Sequence, residues 1–303
     1  MASSDLSLAG GSVTGKVFLP SSASCSSGYT PLLVAVHGGT YKSTYFDASS
    51  QHTIKSLVQA FGIPVVAIDR PGYGRTPSLN PIPDDSSPIQ EHGRWLHKFV
   101  LPELWKKFSN SAKSIVLYGH SIGGATCCVA AGLHASDGGS YPLSAVIITG
   151  IGVEVGSRKL HWESTSPGYI RIAEDFKDDI MLTRRELYDS DILKTTAQLN
   201  QDAPLDECID IGTQWLSYWN KYAGVITIPV LYMGGAEDQM WNLSKENIED
   251  FGKAFRSSKK VETVQIPCAP HNIELSHQSI VLWGRAGAFA IESTVEGALA
   301  KKK

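Results

Sequence analysis

The sequence predicts an α/β fold: a doubly wound, mostly parallel sheet with a helical insertion. Three observations predict it. Apolar runs at 31–36, 64–68, 114–118, 143–149 and 228–233 alternate with segments of helical periodicity. That is the pattern of strands buried on both faces by crossover helices. The central run enters its helix through Gly119-His120-Ser121-Ile122-Gly123, a sharp strand-to-helix turn. Between about Gly156 and Tyr222 the alternation stops and no convincing strand is read.

Taken in order, Met1 to Gly11 is small and polar, without the cationic-then-apolar order of a secretory signal. Residues Ser12 to Leu19 read as a first strand and Pro20 to Tyr29 as a serine-rich loop. The run Pro31 to Val36 ends in His37-Gly38-Gly39-Thr40. Consecutive glycines there let the backbone turn with its N–H groups facing a crevice, half of an oxyanion hole, with Gly39 or Thr40 as donor. A helix over Thr53 to Ala60 leads to the strand Pro64 to Ile68. The following Asp69-Arg70-Pro71-Gly72-Tyr73-Gly74 reads as a structural turn in which Asp69 and Arg70 pair locally. A loop to Pro88 precedes a helix from Ile89 to Phe108, interrupted near Pro102.

The strand Ser114 to Tyr118 then delivers Ser121 to the apex of its turn. Gly119 and Gly123 flank it because a Cβ at either place would strike the neighbouring strand or helix. Beside the serine lies the backbone N–H of Ile122. A hydroxyl is a poor nucleophile alone, so this site requires a base, an orienting carboxylate and a second oxyanion donor. Leu143 to Thr149 is the next strand.

Helices are expected over Tyr169–Leu182, Arg184–Thr196 and Cys208–Lys221, with aromatics Trp162, Tyr169, Phe176, Tyr188, Trp215, Tyr218, Trp219 and Tyr222. The segment 156–222 is read as an all-helical lid over the carboxyl ends of the strands, with 1–155 and 223–303 forming the core domain. In the other reading these helices pack on the sheet flank, and Trp215 and Trp219, four apart, form a core stripe. The strand Ile228 to Met233 ends in Gly234-Gly235-Ala236-Glu237-Asp238, a glycine turn that delivers a carboxylate above the sheet. A helix from Leu243 to Phe255, the strand Val261 to Ile266, a loop holding His271, and a helix from His277 to Ala300 complete the chain. Lys301–Lys303 read as a solvated helix end.

The 303 residues carry 42% apolar and 19% charged side chains with a formal net charge of −3. That balance makes no electrostatic case for nucleic acid or anionic membrane as a partner. The five cysteines, Cys25, Cys127, Cys128, Cys208 and Cys268, have no metal-ligand spacing and suit a reducing compartment. No run reaches membrane-spanning length. The expectations are a cytoplasmic chain with a small-molecule partner and neither metal nor cofactor.

Ser121, Asp238 and His271 each follow a predicted strand, and from His37-Gly38-Gly39 to His271 the chain resembles an α/β-hydrolase of the lidded esterase-like kind. Asp69-Arg70-Pro71-Gly72-Tyr73-Gly74 is similar to that family's Asp-x-Pro-Gly-x-Gly loop. The resemblance implies Ser121 as nucleophile, His271 as general base and Asp238 as the acid orienting it, with Ile122 and Gly39 or Thr40 as oxyanion donors. His120 is a common occupant of its place in the elbow and receives no chemistry. Glu237 and Glu154 compete with Asp238, although Gly235-Ala236-Glu237-Asp238 resembles the family's Gly-x-x-Asp. His277 competes with His271. A serine at the elbow argues against the epoxide hydrolases and haloalkane dehalogenases, which need a carboxylate nucleophile.

The expected activity is hydrolysis of an ester, thioester or related acyl bond of a medium-sized, largely apolar molecule. Arg158, Arg171, Arg184 and Arg185 are available to a substrate carboxylate. The rivals are non-hydrolytic chemistry in the same pocket (C–C cleavage, a lyase, acyl transfer or cyclisation) and a ligand-binding receptor with little turnover.

Overall fold

The computed structural model describes residues 3–21, 28–158 and 160–300; Cys25 and the tail Lys301–Lys303 lie outside the described residues. The strands are β1 (Ser3–Leu8), β2 (Val13–Phe18), β3 (Leu32–Val36), β4 (Val65–Ile68), β5 (Ile115–His120) and β6 (Leu143–Thr149). Three short strands, β7 (Glu163–Ser166), β8 (Tyr169–Arg171) and β9 (Ala203–Pro204), precede β10 (Val230–Gly235) and β11 (Val261–Ile266). The main sheet has eight strands in the order β1-β2-β4-β3-β5-β6-β10-β11. From β4 to β11 all neighbours are parallel, whereas β2 runs antiparallel to both β1 and β4.

The helices are α1 (Lys55–Phe61), α2 (Pro88–Trp95), α3 (Leu101–Phe108), α4 (Ile122–Asp137), α5 (Glu174–Met181), α6 (Ile192–Leu199), α7 (Leu205–Thr213), α8 (Trp215–Ala223), α9 (Lys245–Lys253) and α10 (Ser279–Ala300). Side chains alternate between the two faces of each strand, so one central strand feeds two cores. Val34 and Leu117 join α2, α3, α4, α8 and α9 on one face. Ala35 and Val116 join α1 and α10 on the other. Among the described residues no helix is long and apolar enough to cross a membrane.

The chain leaves β3 for β4 on one side, then crosses back to β5 on the other. Their carboxyl ends splay apart at this reversal, and a crevice opens between the two exit loops. One exit loop carries 37–40 and the other carries Ser121.

Three expectations are corrected and one is met. The polar N-terminus forms β1, whose backbone pairs with β2 from Ser3 opposite Phe18 to Leu8 opposite Val13. An edge strand needs only one apolar face, and its Leu6 and Leu8 are buried among polar neighbours. The helix before the elbow is interrupted near Pro102, as expected, by a π-helical turn over Leu96–Val100 that runs without a break into α3. The 156–222 segment is not all-helical, for β7, β8 and β9 make a small antiparallel sheet. Its last helix, α8, buries Trp215, Trp219 and Tyr222 in the core against α4, as the flank reading has it.

The elbow itself depends on close backbone approach. A Cβ on Gly123 would lie 2.1 Å from the Val36 carbonyl oxygen, and one on Gly119 would lie 2.4 Å from the Gly123 carbonyl oxygen. Backbone cannot yield there, so Gly123→Ala is expected to destabilise the fold by about 3 kcal/mol. Denaturant unfolding checks this, and an unchanged midpoint would contradict it.

Candidate active site

Ser121 stands between β5 and α4 with φ 54° and ψ −124°. A non-glycine residue in this region is strained and persists only where its surroundings hold it. Here the Ser121 N–H donates to the Thr149 carbonyl at 2.8 Å, while its own carbonyl accepts from the Gly124 and Ala125 amides at 2.8 and 3.1 Å. The strain therefore has a local cause, the bonds that lock both ends of the turn.

Asp238 follows β10, and its side chain is fully buried. Its Oδ1 accepts the Met240 and Trp241 amides at 2.7 and 3.0 Å. Its Oδ2 lies 2.8 Å from His271 Nδ1. A carboxylate can only accept, so Nδ1 carries the proton and Nε2 keeps its lone pair. His271 and Ser121 line one cavity of about 520 Å³, together with Gly38, Gly39, Thr40 and Ile122. The predicted set Ser121, Asp238 and His271 is thus gathered at the crevice. Glu154 lies at the surface, accepting from Asn242 and Asn247 at 2.8 Å. Glu237 faces Arg184. His277 is half exposed and 3.8 Å from Asp189.

The 37–40 turn passes directly over the elbow. A Cβ on Gly38 would sit 3.0 Å from Ser121 Cβ, and one on Gly39 would sit 2.9 Å from Ile122 Cδ1. Thr40, at φ 59°, gives its N–H to Tyr73 Oη at 3.1 Å. Of the two donors left open by the sequence, Thr40 is therefore spent, and among the described residues the Gly39 and Ile122 amides have no intramolecular acceptor. His37 holds the turn in place. Its Nε2 accepts the Arg70 N–H at 3.0 Å and its Nδ1 lies 2.8 Å from the Gly38 carbonyl, so the ring is neutral with its proton on Nδ1.

Several residues on which this site rests were read otherwise from sequence or not read at all. Arg70 does not pair with Asp69; its guanidinium grips Glu207 of α7, 137 residues away. Asp69 instead accepts from Thr14 Oγ1 at 2.6 Å and the Ser43 amide at 2.8 Å. Glu274 is buried behind the elbow, accepting from Tyr45 Oη at 2.8 Å, from Thr149 Oγ1 at 3.1 Å and from Tyr118 Oη. His120 stacks on Tyr45, bonds Asn272 Oδ1 at 3.2 Å, and has its ring centroid 5.0 Å from that of His271. Trp162 and Trp241 line the cavity with Ile172, Met181, Ile209 and Met240. Of the four arginines set aside for a substrate carboxylate, only Arg158 reaches the cavity, and it already pairs with Asp179. Arg171 and Arg184 pair with Asp202 and Glu237, and Arg185 lies over the Tyr188 ring.

Burial makes this site acid-sensitive. It pushes His120 down to about 4, against the pull of the Glu274 carboxylate. His37 and His92 lie well below the ordinary 6.5, from burial first and the Arg70 guanidinium second. The unfolded chain takes up these protons first, so the stability such histidines lend is complete above pH 6.5 and is lost as pH falls towards 4. For His120 this amounts to on the order of 3 kcal/mol. The thermal midpoint is expected to drop between pH 7 and pH 5, and less steeply in His120→Gln. Parallel curves for the two proteins would refute the assignment to His120.

No curated protein matches the chain in sequence. Solved structures resemble it in fold. The Paleococcus ferrophilus monoacylglycerol lipase is 17% identical, with a TM-score of 0.59 over 87% of this chain and 96% of that one. The N-acyl homoserine lactonase AidH is 14% identical, with a TM-score of 0.58 over 98% and 99% of the two chains. A thioesterase domain from the curacin biosynthetic pathway is 12% identical, with a TM-score of 0.53 over 96% and 99%. A sequence model of the Alpha/beta hydrolase family matches residues 33–281, from β3 through the loop of His271 into α10, and the chain belongs to that family.

Proposed function

We propose that the protein is a serine hydrolase that cleaves an ester, thioester or related acyl bond through an acyl-Ser121 intermediate. The observation that carries this reading is the buried Asp238–His271 pair, 2.8 Å apart, which leaves His271 Nε2 basic on the cavity that Ser121 also lines. His271 takes the Ser121 proton as the hydroxyl attacks the carbonyl carbon, then gives it to the leaving group. Asp238 holds the tautomer and stabilises the imidazolium. Gly39 and Ile122 amides receive the oxyanion. Water then attacks the acyl-enzyme with His271 again as base, releasing the acid.

The apolar wall of Ile172, Met181, Ile209, Met240, Trp162 and Trp241 favours a medium-sized, largely apolar substrate. Relatives in fold that are named as lipase, lactonase and thioesterase support ester-type chemistry. Of the inserted segment 156–222, the part before α8 acts as a cap on the core, with Leu160, Trp162, Ile172 and Met181 facing the cavity. Fluorophosphonate labelling tests the reading. Labelling should require both Ser121 and His271. A folded protein that neither this probe nor a smaller one modifies would overturn it in favour of binding or non-hydrolytic chemistry.

A further inference from the structure

Two charged side chains of the inserted segment reach the 37–41 turn, and both are buried. Glu207, on α7, accepts from Arg70 Nη1 at 2.5 Å, Arg70 Nη2 at 3.0 Å and Tyr73 Oη at 2.5 Å. Arg70 passes the grip on, donating from Nε to the His37 carbonyl at 2.8 Å and from Nη2 to the Gly38 carbonyl at 3.1 Å. Tyr73 Oη accepts the Thr40 amide. From α5, Lys177 Nζ donates to the Thr40 carbonyl and to Asn200 Oδ1, both at 2.9 Å, and sits 3.7 Å from the centroid of the Tyr41 ring. Among the described residues no carboxylate lies within ion-pair reach of Lys177; these carbonyls and this ring touch its head group, while Asp178 and Glu174 act on it from farther off.

The turn that they hold is strained. Thr40 is a β-branched residue at φ 59°, and its buried Oγ1 has no partner among the described residues. Such a conformation persists only when its surroundings over-determine it. Here three carbonyls and one amide of the turn are bonded to Lys177 of α5 or to Arg70 and Tyr73, which Glu207 of α7 holds in turn. Swinging α7 outward would strand the Arg70 guanidinium, fully buried, without its counter-charge. Guanidinium and carboxylate also cancel, so Glu207 holds the turn without setting net negative charge beside a developing oxyanion.

We propose that Glu207 and Lys177 are positioning residues: they hold the 37–41 turn so that the Gly39 amide stays free for the oxyanion, and α5 and α7 form a fixed brace rather than a swinging cover. The proposal rests on the serine-hydrolase reading for its catalytic consequence. Oxyanion donors act by preorganisation, and a displacement of about 1 Å at such a group costs as much as 10²-fold in rate.

The test uses the full chain with Glu207→Gln, Tyr73→Phe and Lys177→Met. Three quantities are measured: kcat and KM on p-nitrophenyl butyrate, inhibition by an aryl trifluoromethyl ketone, and amide hydrogen exchange over 37–41. Glu207→Gln should lower kcat about 10- to 100-fold with KM changed by less than about threefold. Ketone binding should weaken by the factor lost in kcat/KM, and exchange over 37–41 should speed up. Tyr73→Phe keeps the Arg70–Glu207 pair and removes the acceptor of the Thr40 amide; its expected loss is about 10-fold, in kcat alone. If Glu207→Gln does not fold, Tyr73→Phe and Lys177→Met decide. Folded variants that keep kcat and ketone affinity within twofold overturn the proposal, as does a rise in KM with kcat unchanged. Unchanged exchange over 37–41 overturns the brace even in an active enzyme. A native protein that is inert to fluorophosphonate and to a smaller probe, yet protected over 37–41 with protection lost in Glu207→Gln, overturns the hydrolase reading and supports the brace.

Discussion

Ser121→Ala is expected to lower kcat/KM on an activated ester by about four to six orders of magnitude, because the covalent route then has no nucleophile. A residue of catalysis over water should persist, since the Gly39 and Ile122 amides still face any bound carbonyl. The substitution removes one buried-site hydroxyl and no backbone bond, for the turn is held by Thr149, Gly124 and Ala125 rather than by the serine side chain. Its thermal midpoint should therefore not fall. Steady-state hydrolysis with active-site titration makes the comparison. Turnover within tenfold of the native rate would mean that Ser121 carries no acyl group, and the wild-type rate would then need another nucleophile.

Asp238→Asn is expected to cost about 10⁴-fold in kcat with the fold intact, and the reason lies in hydrogen-bond polarity. In the native site Oδ1 accepts two amides and Oδ2 accepts from His271 Nδ1. An asparagine must keep its oxygen on the two amide donors, which places its NH₂ against Nδ1. The imidazole then has to present a lone pair at Nδ1 and its proton at Nε2, the tautomer that cannot accept from serine. Glu154→Gln, by contrast, changes only a surface carboxylate bonded to Asn242 and Asn247, and should leave kcat/KM within about twofold. The pair of variants separates the two candidate acids. A large loss in Glu154→Gln with a small one in Asp238→Asn would reverse the assignment.

The doubly wound sheet and the elbow are legible in the sequence because both are written in local terms. Strands such as Leu32–Val36 and Leu143–Thr149 are apolar on both faces, and buried parallel strands admit little else. Gly119 is required by a backbone contact within the strand–helix unit itself, and Gly123 by the end of the neighbouring strand β3, but both stand at fixed places around Ser121. The order Ser121, Asp238, His271 is legible for the same reason, since each residue directly follows a strand and the sheet brings strand ends together. The sequence by itself therefore determined the parallel part of the sheet, the strand-end placement of those three residues and the glycine turn facing them.

Only the tertiary structure decided which donor of that turn is free, because Tyr73, 33 residues on, takes the Thr40 amide. It also decided the fate of the charges in 156–222. Helical periodicity tells which face is apolar, but Lys177 and Glu207 look like any solvated lysine and glutamate until α5 and α7 dock on the 37–41 turn. The partner of Arg70 lies 137 residues away rather than next to it. Trp215 and Trp219 read equally well as lid or as core until α8 packs beside α4. Such pairings form only after the sheet has assembled, when desolvation forces each buried charge to find an opposite charge or a set of dipoles wherever the fold has brought one.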